Sequence, residues 1–175
     1  LATARGLEKL EAAVAETKEK TGGEIAAMSA DISKSADCQA VFDKAVELYG
    51  TVDVLVNNAG LGELITIDAV TDEMIDKVVD INMKGLLYMC RTAVNYFKTK
   101  DEVSGNIINI SSINGIRPMC GAAYCATKGG LNTLTKNVAI RCVDTGIRCN
   151  AVAPGHTPSP TAYAHDDGGP QTTEE

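Results

Sequence analysis

The sequence has few of the residues from which metal sites and disulfide frameworks are built. Its 175 residues include two histidines, six cysteines and no tryptophan. The cysteines form no CxxC pair and no cluster with histidine, so we expect no metal site made of these residues. Cysteines spaced in this way typically remain reduced thiols, which favours a cytoplasmic protein.

Positive charge is also in short supply. Lysine and arginine number 16 against 23 aspartates and glutamates, which gives a net charge of −7 and a pI of about 4.9. A chain of this charge has no basic surface for nucleic acid and no attraction to an anionic membrane. No apolar run approaches the roughly 20 residues that span a bilayer. We therefore expect neither nucleic acid nor a membrane as a partner.

What the sequence contains is an alternation of short apolar segments with longer amphipathic ones. Hydrophobic residues make up 45% of the chain, enough for one core and for a single domain over residues 1–175. Strands are predicted at 1–4, 24–30, 52–56, 106–112 and 146–153, and helices at 7–21, 41–49, 71–98 and 121–143. This alternation indicates parallel βαβ units, so the predicted fold class is α/β with a doubly wound parallel sheet.

Glycine and threonine mark several helix ends. Gly22 and Gly50 follow the first two helices and are expected to end them, because glycine readily adopts the left-handed conformation of a helix C-cap. Thr71 precedes two acidic residues at the start of the long helix and is the expected N-cap.

Polar and conformationally special residues fall at the carboxyl ends of the predicted strands. They are Arg5, Asp31, Asn57–Gly60, Ser111–Ser112 and Pro154–Gly155. In open parallel sheets, ligands bind in the crevice beyond these ends. The sequence therefore predicts a binding site along one rim of the sheet.

The last long helix carries two groups suited to proton transfer. Tyr124 and Lys128 are four residues apart, so their side chains share one helix face. A phenol and an ammonium placed opposite a serine hydroxyl form an arrangement that can move a proton.

Four motifs, in this order along the chain, resemble those of the short-chain dehydrogenase/reductase family. Asn57–Gly60 matches its NNAG motif, Ile110–Ser112 its serine strand, Tyr124–Lys128 its YxxxK motif and Asn150–Gly155 its sixth-strand motif NAVAPG. The resemblance covers almost the whole chain. It implies a Rossmann-like sheet and an NAD(P)-dependent oxidoreductase that interconverts a secondary alcohol and a ketone.

The resemblance assigns catalytic roles. Tyr124 is then the acid/base, and Lys128 stabilises its phenolate and binds the nicotinamide ribose. A serine holds the substrate oxygen: alignment of the strand end selects Ser112, which we favour, whereas the usual spacing to the tyrosine selects Ser111. Asn82 matches an asparagine that holds a proton-relaying water, although its amide could instead only brace the neighbouring strand.

The resemblance also suggests which residues contact the cofactor. Tyr124 and Lys128 would be joined there by Arg5, Asp31, Ile32, Asn58, Ala59, Gly60, Pro154, Gly155 and Thr157. Arg5 decides the cofactor, because NAD-binding members carry an acid at the end of the second strand and this chain has Ala4 followed by Arg5. An arginine suits a 2′-phosphate, so we expect NADP rather than NAD. The alternative is that Arg5 is an ordinary surface residue.

Two departures from the family concern the ends of the chain. The family's glycine-rich phosphate loop precedes its second strand, which is where this chain starts with Leu1. The family also continues beyond the sixth strand, whereas residues 156–175 here look like a loop or a disordered tail. We therefore interpret the chain as an internal fragment with an incomplete sheet, which we do not expect to be active by itself.

Two other functions use the same fold. One is a non-catalytic dinucleotide-binding regulator, and the other is a sugar-nucleotide epimerase or dehydratase, which also uses YxxxK. Family members commonly pair through the helices that correspond to 71–98 and 121–143, so the resemblance implies a homodimer or homotetramer.

Overall fold

Five strands and five α-helices alternate along residues 1–157, the part of the chain that the computed structural model describes. The strands are β1 (Ala2–Ala4), β2 (Ala27–Ser29), β3 (Val54–Asn57), β4 (Gly105–Ile110) and β5 (Ile147–Val152). The helices are α1 (Leu7–Thr21), α2 (Ser35–Tyr49), α3 (Asp72–Val79), α4 (Leu86–Phe97) and α5 (Ala122–Arg141). The predicted order of strands and helices is confirmed. Most of the predicted tail, from residue 158 on, lies outside the described residues.

Every strand pair is parallel, as the alternation predicts. β1 pairs with β2, and β3, β4 and β5 form a second sheet in that order. Helices α4 and α5 pack on the second sheet, whereas α1 packs on the first. The fold class is therefore α/β with parallel sheets, as expected.

The sheet is divided between β1 and β3. No strand pairing joins the two sheets within residues 1–157. A groove of about 320 Å³ lies between them, and Leu1, Thr3 and Phe42 line it together with β3. Val54 and Val56 of β3 are 52% and 54% exposed, although strands in the middle of such sheets are normally buried on both faces. The expectation of an incomplete sheet agrees with this groove.

The helix ends follow the predicted signals. Gly22 and Gly50 have φ angles of 66° and 77°, and their N–H groups donate to the carbonyls of Lys18 and Val46. The hydroxyl of Thr71 accepts a hydrogen bond from the Met74 N–H at 3.3 Å. These residues therefore end α1 and α2 and begin α3 as expected.

The prediction of a long helical stretch over 71–98 is confirmed, with one local irregularity. A π-helical turn, Asp80–Gly85, separates α3 from α4. A π-helical turn fits an extra residue into the helix and is often found at a functional site. The turn contains Asn82, whose side chain forms hydrogen bonds with the loop after β3. The hydrophobic spacing before and after residues 80–85 is helical, so the sequence pattern does not indicate the π-helical turn.

Two strands are shorter than predicted. β2 covers only Ala27–Ser29 of the expected 24–30, and β4 ends at Ile110, so Ser111 and Ser112 follow the strand. No helix within residues 1–157 is long and apolar enough to cross a membrane. The same residues contain no group of three or more histidine, cysteine, aspartate or glutamate side chains placed to share a metal ion. All six cysteines are free thiols.

The core offers a test of this packing at Gly105. A Cβ atom at that position would overlap the ring of Phe97, which is completely buried. We expect Gly105→Ala to destabilise the protein by about 1–3 kcal/mol, because a buried ring has no free space into which to move. The measurement is the free energy of unfolding of the full-length protein in denaturant.

Gly62→Ala is the matched control, because nothing lies within 4 Å of a Cβ added there. Equal stability of the two alanine variants would contradict the packing of β4 against α4.

Candidate active site

The residues predicted to be catalytic lie around the carboxyl ends of β3, β4 and β5. Beyond the end of β4, the Ser111 N–H donates to the Val152 carbonyl at 2.7 Å, and the Ile113 N–H donates to the Pro154 carbonyl at 2.9 Å. The segments after β4 and β5 therefore remain side by side after the strands end. The two serines are held there among buried neighbours.

Lys128 lies under this rim with its ammonium group buried. Only 4% of the residue is exposed, and Nζ donates a 2.7 Å hydrogen bond to the carbonyl of Ile110, the last residue of β4. No carboxylate within residues 1–157 lies within ion-pair distance of it. Burial lowers the pKa of Lys128 below its ordinary value, because the charged form loses its hydration.

Tyr124 stands beside this ammonium, as the spacing predicts. The Nζ atom of Lys128 lies 5.7 Å from the centroid of the Tyr124 ring, and the tyrosine is half-buried. An ammonium at this distance from the ring attracts negative charge on the phenol oxygen. The structure therefore brings together the phenol and the cation that the YxxxK spacing singled out.

The loop after β3 forms the next wall of the site. A Cβ atom on Gly60 would lie 3.4 Å from the Lys128 Nζ and 3.6 Å from the Asn82 Oδ1. This contact places the last residue of the NNAG motif directly against the lysine. Gly60 leaves room there that a side chain would fill.

Asn82 is completely buried and its amide is fully engaged. Its Oδ1 accepts from the Leu61 N–H at 2.7 Å, and its Nδ2 donates to the Leu61 carbonyl at 2.8 Å. Nδ2 also lies 3.3 Å from the Thr127 hydroxyl on α5. The side chain thus braces the loop after β3, whereas the alternative to a water-relay role was a brace on the neighbouring strand itself. The relay stays a prediction.

The two candidate serines have different hydrogen-bond partners. Ser111 donates its hydroxyl proton to Oδ1 of Asn132 at 2.7 Å, with the Lys128 carbonyl at 3.3 Å. Ser112 instead accepts, from the N–H of Asn114 at 3.1 Å and from its side-chain amide at 3.4 Å. The Ser112 hydroxyl therefore keeps its proton for another acceptor, and the Ser111 proton is already in use.

A cleft of about 500 Å³ follows the rim from β1 to β3. Most of the predicted adenine and ribose contacts line it, namely Arg5, Asp31, Ile32, Asn58, Ala59 and Gly60. The other five predicted contacts do not line this cleft, namely Tyr124, Lys128, Pro154, Gly155 and Thr157. Thr157 is exposed at the end of the described residues.

Within the cleft, Asp31 and Ile32 already have partners in the protein. Ser33 donates to the Asp31 carboxylate from its hydroxyl at 2.7 Å and from its N–H at 3.1 Å. The Ser33 hydroxyl bond is the main reason that the pKa of Asp31 lies below its usual value. Ile32 packs against Gly85, where a Cβ atom would come within 2.9 Å of it. Arg5 is exposed and free to reach a ligand.

A buried polar network beneath the site was not predicted. The Asn57 side chain donates to Oδ1 of Asn109 at 2.9 Å, and the Asn109 amide donates to the Thr135 hydroxyl at 2.9 Å. These bonds cross from β3 to β4 and on to α5, so they fix the helix that carries Lys128 relative to the sheet. An asparagine inside the apolar strand GNIINI was the available signal.

Glu63 was also missed. It is only 8% exposed, and its Oε1 accepts a hydrogen bond from the backbone N–H of Tyr124 at 3.0 Å. The sequence shows it as an acid within an otherwise apolar loop, LGELITI, and nothing local links it to a helix that begins about sixty residues later.

Comparisons with known proteins agree with this geometry. The family model described as short chain dehydrogenase matches residues 1–168. The chain is 41% identical to 3beta-hydroxysteroid dehydrogenase 1 of Eggerthella lenta over 143 residues, which is 81% of this chain and 54% of that protein. It is 36% identical to glucose 1-dehydrogenase 2 of Bacillus subtilis over 141 residues, 78% of this chain and 53% of that protein.

Solved structures show the same likeness. A crystal structure of the F189W actinorhodin polyketide ketoreductase with NADPH superposes with a TM-score of 0.87 at 32% identity, covering 93% of this chain and 62% of that one. A short chain dehydrogenase from Mycobacterium smegmatis superposes with a TM-score of 0.82 at 31% identity, over 87% of this chain and 64% of that one.

The length of the match has a limit. The chain spans about half the length of the curated relatives it matches, 54% and 53% for the two named here. The family model nevertheless matches nearly all of this chain. The chain therefore belongs to the short-chain dehydrogenase/reductase family.

Proposed function

We propose that the full-length protein is an NADP-dependent oxidoreductase that interconverts a secondary alcohol and a ketone, with Tyr124 as the acid/base. The observation that carries the proposal is the buried Lys128 ammonium, held by the Ile110 carbonyl at 2.7 Å with its Nζ 5.7 Å from the Tyr124 ring. Burying an ammonium group costs free energy. Stabilisation of the Tyr124 phenolate would explain why this one is buried.

Tyr124, Lys128 and Ser112 have different roles in one proton transfer. A nicotinamide bound next to Tyr124 and Lys128 would supply the hydride chemistry. Tyr124 gives a proton to the ketone oxygen in reduction and takes it back in oxidation. Lys128 stabilises the phenolate that remains, and the Ser112 hydroxyl donates to the substrate oxygen as negative charge develops there.

The cleft has the chemistry that a phosphorylated dinucleotide needs. Arg5 is exposed at the carboxyl end of β1 and lines the cleft together with the NNAG loop. A guanidinium there can bind the 2′-phosphate that distinguishes NADP from NAD. The ketoreductase neighbour, whose structure was solved with NADPH, supports the same choice.

The proposed substrate class is that of secondary alcohols and ketones. The named relatives include hydroxysteroid and glucose dehydrogenases and a polyketide ketoreductase. What these three have in common is an alcohol or a ketone. Substrate specificity in this architecture resides in the loops after the strands.

We also propose a homodimer or homotetramer in the cytoplasm. The helices expected to pair carry apolar residues that remain exposed, among them Leu87 on α4 and Ile140 on α5, at 42% and 71%. Exposed apolar groups of this kind are suited to a subunit interface.

Tyr124→Phe tests the acid/base assignment. We expect turnover to fall by at least about 100-fold, because the phenyl ring has no proton to exchange with the substrate oxygen. Binding of NADP, measured by fluorescence or calorimetry, should be unchanged. The full-length protein is assayed with a panel of secondary alcohols and ketones.

Tyr49→Phe is the matched control, since this tyrosine lies at the end of α2, outside the site. Retained turnover in Tyr124→Phe would refute the assignment. Cofactor binding without turnover in the unaltered protein would favour the regulator, and conversion of a sugar nucleotide without net use of cofactor would favour the epimerase or dehydratase.

Ser112→Ala and Ser111→Ala separate the two serines. We expect Ser112→Ala to lower kcat by about 100-fold, because the site loses the hydroxyl whose proton is free to reach the substrate. Ser111→Ala should act mainly on stability, because it removes a bond to Asn132 on α5. Steady-state kinetics and thermal unfolding of both variants measure the difference, and the reverse pattern would identify Ser111 as the catalytic serine.

Arg5→Ala tests the cofactor. We expect the affinity for NADP to fall by about 10-fold to 100-fold with little change for NAD, as for the loss of one charge-assisted contact. Dissociation constants for both dinucleotides give the result. Arg148→Ala on β5 serves as the control, because it removes the same charge from an exposed position outside the cleft. Equal losses for NADP and NAD in Arg5→Ala would contradict the assignment.

A further inference from the structure

Helix α5 begins without a cap of its own. Its N-cap residue is Gly121, with φ −61° and ψ 152°, and no acidic residue occurs in the first turn. The first four N–H groups of a helix need acceptors from outside the helix, and glycine has no side chain to offer one. The helix that carries Tyr124 and Lys128 therefore depends on another segment.

That segment is the loop after β3, and the residue is Glu63. The N–H of Gly121 donates to the Glu63 carbonyl at 2.9 Å, and the N–H of Tyr124 donates to Oε1 at 3.0 Å. The other carboxylate oxygen accepts from the Ile65 N–H at 2.7 Å, which fixes its orientation. A buried carboxylate at this point also lies at the positive end of the helix dipole.

Gly121 and Glu63 are matched in shape. A Cβ atom on Gly121 would overlap the Glu63 carboxylate. The backbone angles of Gly121 are ones that any residue adopts, so the restriction comes from Glu63 and not from the backbone. A serine at this position would cap the helix from within, but only if the Glu63 side chain were absent.

We propose that Glu63 is a positioning residue for Tyr124: it caps α5 from the loop after β3 and thereby fixes the first turn of the helix, on which the phenol is carried. The inference rests on the proposed role of Tyr124. The same loop is bound through Leu61 to Asn82 and lies at Gly60 against Lys128. The cofactor-side loop and the catalytic helix are thus held together at both ends of the Tyr124–Lys128 turn.

A double-mutant cycle tests this in the full-length protein. We expect Glu63→Ala to lower kcat by about 10-fold with a small change in KM, because the phenol loses its fixed position while the cofactor cleft is intact. Gly121→Ser alone should also impair the enzyme, since its side chain overlaps Glu63. The double variant Glu63→Ala/Gly121→Ser should recover most of kcat, because the new hydroxyl accepts from the Tyr124 N–H.

Amide hydrogen exchange provides a readout independent of activity. The Tyr124 amide should exchange faster in Glu63→Ala and return towards the original rate in the double variant. Glu63→Ala/Gly62→Ser is the matched control: it introduces the same serine in the same background at a position with nothing nearby, and it should rescue neither exchange nor kcat.

The outcomes separate this inference from the proposed function. Unchanged kcat in Glu63→Ala, or a double variant no better than Glu63→Ala, would overturn the positioning role. Recovery of thermal stability without recovery of kcat would also overturn it, because Glu63 would then act on the fold alone. Turnover that survives Tyr124→Phe would instead overturn the proposed function. If Gly121→Ser alone does not fold, the comparison of Glu63→Ala with the double variant still decides.

Discussion

The site is organised around an ammonium group buried without a carboxylate partner in the described part of the chain. Lys128 Nζ donates to the carbonyl of Ile110, a backbone group at the end of β4. A carboxylate in that place would neutralise the charge, whereas a carbonyl satisfies one proton and leaves the positive field for the Tyr124 phenol. Burial lowers the pKa of Lys128, because the charged form loses its hydration. The surrounding structure therefore has to keep the ammonium group in a position that water would not favour.

Two groups of contacts hold it there. Below the rim, the Asn57–Asn109–Thr135 hydrogen bonds connect β3, β4 and α5. Above the rim, the loop after β3 is bound at Leu61 by Asn82 and reaches the start of α5 through Glu63. The first group fixes α5 relative to the sheet, and the second fixes the first turn of α5 relative to the loop after β3. Together they leave the Tyr124–Lys128 turn little freedom to move.

The sequence predicts those parts of this arrangement that depend on neighbours along the chain. Gly22, Gly50 and Thr71 mark helix ends through local backbone chemistry, and the Tyr124–Lys128 pair follows from helical periodicity alone. The π-helical turn at 80–85 was not predictable from local patterns: Asn82 within it bonds to a loop about twenty residues earlier. The choice between Ser111 and Ser112 likewise depends on Asn132 and Asn114, which no spacing relates to the strand.

Glu63 shows why local sequence patterns do not predict such contacts. It also shows which feature of the sequence still indicates that a contact is needed. The bond between Glu63 and Tyr124 joins residues 61 positions apart, so no periodicity connects them. The helix start at Gly121 nevertheless offers no side-chain acceptor, and a helix that begins without one must find its acceptors elsewhere. A missing side-chain cap next to the YxxxK motif is therefore a specific reason to search the other loops of the rim for a buried acid. In this chain the loop LGELITI contains one, and it accepts from the backbone of the tyrosine itself.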